Sequence, residues 1–154
     1  MLNLPKNIYV ISMVMSCGFT ITSMMVLLSG IIGAQIAPSP KYATLPMSAM
    51  VIGSAFAAIP AALLMQGIGR KAGIATGLMI SLAGVGLALY ASLNQNFYVF
   101  LVAAFLMGLN AAFIQQGRFV IIENVLNEKQ VADGLSLALM ANLLAAYILS
   151  LIHI

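Results

Sequence analysis

Charge is what this chain lacks: of its 154 residues, six are Lys or Arg and three are Asp or Glu, so charged residues make up 6%. A soluble domain carries about 25% charged residues to hold its surface in water. So few charges leave most of a surface that size uncovered, which excludes a water-soluble domain. The net charge of +3 comes from cations scattered as Lys6, Lys41, Arg70, Lys71, Arg118 and Lys129. They form no extended basic face, so nucleic acid is not an expected partner. A single cysteine, Cys17, excludes an internal disulfide and a cysteine-cluster metal site, and within an apolar segment it reads as a small buried residue. The one histidine, His153, stands at the carboxyl end and is given no function, so the hydroxyls of the chain have no base to activate them. No phosphate loop, dinucleotide fingerprint or metal constellation is present, so neither an enzyme nor a cofactor is expected.

What the chain has instead is hydrophobic length, 63% of the residues. Roughly 20 mostly apolar residues are needed to cross about 30 Å of hydrocarbon at about 1.5 Å per residue. Five segments qualify: 8–32, 45–66, 72–93, 97–122 and 134–154. The first far exceeds the apolar core of a signal peptide and reads as a retained span. The expected fold is an all-α integral membrane bundle of about five transmembrane helices, a single domain over 1–154, with the lipid bilayer as its first partner.

The connections are short. "AQIAPSPKYATLP" holds Pro38, Pro40 and Pro46 and predicts an extended loop that re-enters the membrane at Leu45. Gly67 to Lys71 forms the second connection, "NQN" at 94–96 the third, and "NEKQVAD" at 127–133 the fourth. With the amino terminus in the cytoplasm, alternation puts Lys6, Arg70, Lys71 and Lys129 inside and leaves Lys41 outside, which the positive-inside rule favours.

Small residues recur every four positions, as in Gly53, Ala57, Ala61; Ser54, Ala58, Ala62; Gly73, Gly77, Ser81; and Ala138, Asn142, Ala146. Such stripes let helices approach closely in lipid. Ser12, Ser16, Thr20 and Ser23 form a mild polar stripe that reads as interhelical hydrogen bonding, and Pro60 predicts a bend in the second helix.

Ionisable groups at membrane depth mark functional sites by default. Arg118, in "NAAFIQQGRFVIIENV", is the one that qualifies. Gln115 precedes it by about one turn and shares its side of the helix, while Asn110 adds an amide one turn deeper and about 80° away. A guanidinium offers a planar fork of donors to carboxylate or phosphate, so Arg118 reads either as an anion-binding or gating residue facing a cavity or as a headgroup anchor. Glu123 is expected near the headgroups, and proton coupling finds no support in these spans.

The order of these elements resembles the amino-terminal half of major facilitator superfamily transporters. The resemblance rests on "IAPSPKYATLP", "IPAALLM", "GIGRKAG", "GLNAAFIQQGRFVIIENV" and "GLSLALMANLLAAYIL", and covers nearly the whole chain. The motif of that family between its second and third helices runs Gly, three residues, then Asp-Arg-any-Gly-Arg-Arg/Lys. Gly69, Arg70 and Lys71 match its end, whereas Gln66 stands at the Asp position, Gly67 at the first Arg and Ala62 at the leading Gly. The resemblance implies a conformational-control turn at these residues. It also implies a bacterial inner-membrane protein in which about twelve helices form two halves with a small solute held between them. The chain is then a partial sequence, with "SLIHI" an abrupt end, its missing carboxyl-terminal half a partner, and no transport expected from it alone. The competing expectation is a small non-transport membrane subunit that packs with another membrane protein.

Overall fold

The computed structural model describes residues 6–117 together with 119, 132, 133, 136, 139, 140, 143, 144 and 147, and side chains from residue 13 onward. Four long helices follow one another: α1 (Lys6–Ile36), α2 (Leu45–Ile68), α3 (Arg70–Leu93) and α4 (Phe97–Gln115), with a short 3-10 turn at Pro40–Tyr42. All four are long and apolar enough to cross a membrane. The expected fifth span at 134–154, and the continuation of the fourth to 122, fall outside the described residues apart from isolated helical positions.

Helix ends follow from local chemistry. The loop after α1 folds rather than extends: Pro40 opens a 3-10 turn in which the Tyr42 N–H donates to Ser39 O at 2.9 Å. Pro46 then opens α2, where its missing N–H costs nothing. α2 continues through Pro60. Between α3 and α4, Gln95 takes a left-handed φ of 50°. The Asn96 N–H donates to Ala91 O at 2.9 Å and the Gln95 N–H to Ser92 O at 3.3 Å, which satisfies two terminal carbonyls of α3. The Asn96 side chain then accepts from Val99 N and starts α4.

Gly69 alone joins α2 to α3, with φ 87° and ψ 154°, a region that only glycine occupies without strain. Its carbonyl accepts the Gly73 N–H at 3.0 Å and begins α3 at Arg70, two residues before the expected Ala72.

α4 is the axis of the bundle. Of its membrane window 61% is buried, against 22% in each of the other three helices. Phe100, Ala103 and Met107 pack with Met25 of α1 and with Ala88 and Ala91 of α3; nearer the other end, Ala112 and Phe113 pack with Ala57, Ala61 and Met65 of α2. The closest approach joins α2 to α4. A Cβ at Gly53 would strike the Phe105 carbonyl oxygen, and one at Gly108 would strike the Met50 carbonyl oxygen. Of the two stripes offset by one residue on α2, Gly53, Ala57 and Ala61 are buried, whereas Ala58 is exposed and Ser54 and Ala62 are half-buried. On α3, Gly73, Gly77 and Ser81 are buried as one face.

α1 joins more loosely, with its Gly18 against Ile114 and its Met15 against Gly117. Three of its hydroxyls bond back onto their own helix: Thr20 Oγ1 donates to Ser16 O at 2.8 Å, Thr22 Oγ1 to Gly18 O at 2.9 Å and Ser29 Oγ to Val26 O at 2.7 Å. The outward faces carry Phe56, Ile59, Leu82 and Tyr98, each more than two-thirds exposed, an apolar coat suited to lipid chains. Cys17 is exposed, not buried as the sequence suggested.

Two predictions follow from this packing. Gly53→Val and Gly108→Val each force two backbones apart and should destabilise the bundle by about 1–3 kcal/mol or more, seen as a lower thermal-unfolding midpoint in detergent. Gly86→Ala, with open space at its Cβ, should leave that midpoint unchanged or raise it. At the turn, Gly69→Ala should cost about 1–3 kcal/mol from backbone strain although nothing lies within 4 Å of the added methyl, whereas Gly67→Ala, equally open and inside α2, should not.

Candidate functional site

The apolar faces of α2 and α4 end where polar side chains begin, and two cavities lie along that seam. One, of about 300 Å³, is lined by Ala62, Met65, Gln66, Arg70, Gln116 and Phe119. The other, of about 210 Å³, is lined by Ser54, Ala55, Ala58, Ala112, Gln115 and Gln116. Gln116 lines both, so the two adjoin along a polar groove of this seam, the smaller beside the middle of α2 and the larger beside the α2–α3 turn. Its α2 wall is the stripe Ser54, Ala58, Ala62, Gln66, one residue every turn, and this stripe serves the groove rather than close helix packing.

The expected control turn meets the groove at its end. Gln66 and Arg70 line the larger cavity together, Arg70 half-buried at the first position of α3 and Gln66 in the last turn of α2. Lys71 is exposed beside them, and Gly69 supplies the bend that places α3 against the end of α2.

Of the three candidate binding residues, Gln115 is exposed and lines the smaller cavity. Asn110 is 1% exposed, and its Oδ1 has no hydrogen-bond partner among the described residues. It faces α3: a Cβ at Gly77 would lie 3.2 Å from that oxygen. Five residues on a helix amount to about 140° of rotation, so Asn110 looks toward α3 while Gln115 looks along α2, and the two do not share a wall. Nearby, the buried Ser81 hydroxyl donates to Met107 Sδ at 3.8 Å, a weak acceptor. Arg118 and Glu123 fall outside the described residues.

Gln116, Phe119, Met65, Ala55 and Ala112 of the lining went unremarked in the sequence reading, and Ser54 figured there only as a packing residue. The signal was there in the doublet "QQ" at 115–116 and in the polar residues closing each end of the Ser54-to-Gln66 stripe. Chemically, the groove offers side-chain amides that donate and accept, a hydroxyl whose proton is already given to Val51 O at 2.8 Å, and, among the described residues, one cation, Arg70, at its mouth.

Comparison with known proteins gives this geometry its context. The chain is 24% identical over 143 residues to a riboflavin transporter of Brucella anthropi, an alignment covering 93% of this chain and 36% of that protein. The chain thus spans little more than a third of the relative's length. No solved structure matches it. The family profile described as "Major Facilitator Superfamily" matches residues 8–153. With four membrane-length helices and a match over nearly its whole length, this chain is an integral membrane protein that belongs to the Major Facilitator Superfamily, a family of transporters and not of enzymes.

Proposed function

We propose that the chain is the amino-terminal part of a secondary transporter that moves a small solute across a bacterial inner membrane by alternating access. The observation that carries this reading is the family match over 8–153, laid on a bundle whose α2–α3 turn keeps the cationic end of the family's control motif. A second half, outside this sequence, supplies the opposing wall, and the amino terminus faces the cytoplasm, where Arg70 and Lys71 would also lie. The relative's name makes riboflavin the first solute to try.

In this reading Gln115 and Arg118 contribute to solute binding or gating, and Gln66, Gly69, Arg70 and Lys71 steady one conformation. Gln66 is neutral where the family pattern has Asp, so the turn holds its partners by hydrogen bonds rather than by an ion pair at that position. Asn110 serves as a buried polar residue facing α3 whose acceptor has no partner among the described residues, an arrangement that costs about 1–3 kcal/mol when the acceptor stays unpaired.

Transport by the whole protein tests the assignment. Arg118→Ala should abolish solute uptake or efflux in cells while membrane insertion is retained, and Arg118→Lys should restore part of it, since charge returns without the planar fork. Unchanged transport in Arg118→Ala would reduce the residue to a lipid anchor. For Asn110, replacement by Leu removes the orphaned acceptor while keeping volume, so Asn110→Leu should match or exceed the parent in thermal stability, whereas Asn110→Asp should be destabilised.

A further inference from the structure

The face of α3 that packs on α4 carries Gly77, Ser81, Gly84 and Ala88 in turn, and the two helices run antiparallel, so α4 meets these residues in reverse order. A Cβ at Gly77 would lie 2.8 Å from Phe113 Cβ and 3.2 Å from Asn110 Oδ1, and one at Gly84 would lie 3.0 Å from Met107 Sδ. Phe113 and Met107 are therefore seated directly against glycines. Their close packing holds α3 where it is.

The polar groups of the same seam are poorly matched in that position. The buried Ser81 hydroxyl is spent on the Met107 sulfur, which accepts weakly. Asn110 Oδ1, a much better acceptor, is turned against Gly77 and has no hydrogen-bond partner among the described residues. The space over Gly77 is too tight for an added methyl group, so no water molecule fits between Gly77 and that oxygen. Met107 and Asn110 are three residues apart on α4, less than one turn. Ser81 thus stands within one turn of a stronger acceptor than the one it uses.

Apolar packing favours one position of α3 on α4, and hydrogen bonding favours another. An interface with two such competing sets of contacts has two discrete arrangements instead of a continuum. The small-residue spacing fits both: an advance of about one turn brings Gly84 to the level that Ser81 now holds and Ser81 to the level of Gly77, with Phe113 giving way to the Ser81 Cβ. The connections permit it. Gly69, with nothing within 4 Å of an added Cβ, joins one end of α3, and the three residues 94–96 at the other end reach about 10 Å when extended.

From this we infer that α3 has a second position on α4, advanced toward the α2–α3 turn by up to one turn, about 5.4 Å, in which the Ser81 hydroxyl donates to Asn110 Oδ1. Arg70 is the first residue of α3 and lines the larger cavity, so the advance carries it along the end of the groove. Exchange of the Ser81 partner from Met107 to Asn110 then resets the control turn. That regulatory meaning rests on the transporter reading above, whereas the movement itself does not.

Pulsed electron-spin distance measurements on the whole protein in lipid nanodiscs, in a background without native cysteines, test the inference. Nitroxide labels at Met79→Cys on α3 and Tyr98→Cys at the start of α4 stand on exposed positions and report the advance. Labels at Ile59→Cys and Tyr98→Cys span α2 and α4 and serve as the control.

The expected result is two distances for the α3–α4 pair, the longer exceeding the shorter by up to about 5 Å, and one distance for the control pair. Ser81→Ala and Asn110→Leu should each lower the longer-distance population about tenfold. The double variant should lose no more than the larger single loss, because both remove the same hydrogen bond. Ser81→Ala deletes only a hydroxyl held by sulfur, so it carries the test even where Asn110→Leu fails to fold. A single α3–α4 distance in the parent, a longer population that Ser81→Ala leaves intact, losses that multiply in the double variant, or an equal splitting of the control pair each overturn the inference. Failure of the transporter reading is a separate result: no solute movement by the parent in cells, with the two distances and their response to Ser81→Ala preserved.

Discussion

The contact on which the bundle depends is a backbone contact. The Met50 carbonyl lies against Gly108 and the Phe105 carbonyl against Gly53, so α2 and α4 meet without a side chain between them. In lipid, apolar side chains gain little by leaving hydrocarbon for protein, and helices associate through close van der Waals packing instead. Two glycines facing each other's helix maximise that packing at one point, and Ala57, Ala61 and Ala112 extend it toward the α2–α3 turn. The rest of the arrangement is set around this seam: α3 packs its small-residue face on the opposite side of α4, and α1 closes the remaining side through Gly18 and Met15.

Burying α4 on so many sides has a functional consequence. A helix enclosed by neighbours has no free face for polar residues in its middle, so its amides either become interhelical contacts, as Asn110 does, or wait until the enclosure ends, as Gln115 and Gln116 do. α2 follows the same logic. Its glycine and alanine stripe is spent on α4, and the adjacent stripe, one residue on and about 100° round, is left to form a groove with the emerging amides. Gly69 then turns the chain sharply enough to set Arg70 at the groove's mouth instead of beyond it.

Much of the fold was legible in the sequence, because span length and punctuation are written in residue types. The apolar spans resumed after the proline-bearing loop and after the "NQN" turn, and both helices begin where expected, at Leu45 and Phe97. α1 runs longer than its most apolar stretch, Lys6–Ile36 in place of 8–32, since a helix does not stop where hydropathy falls. The loop after α1 was misread as extended because prolines punctuate helices, yet the same fixed φ also initiates a 3-10 turn. The site was less legible. In lipid nearly every position is apolar, so hydrophobic periodicity says little about which face looks inward, and small-residue spacing alone did not separate the Gly53 stripe from the Ser54 stripe. Asn110 and Gln115 were both read as polar neighbours of Arg118, Asn110 about 80° round from it, and the structure turns Asn110 to α3 and Gln115 to the groove.

Disulfide trapping across the α2–α4 seam tests this account most directly. In a Cys17→Ser background with a protease site placed in the 94–96 turn, Ala57→Cys and Ala112→Cys, which share one buried cluster, should cross-link on mild oxidation in native membranes. The cut chain should then migrate as one species until reduced. Pairing Ala112→Cys with Ile59→Cys, on the outward face, should leave two fragments. Two fragments from the Ala57→Cys and Ala112→Cys pair under the same oxidation would contradict a bundle organised on the α2–α4 contact.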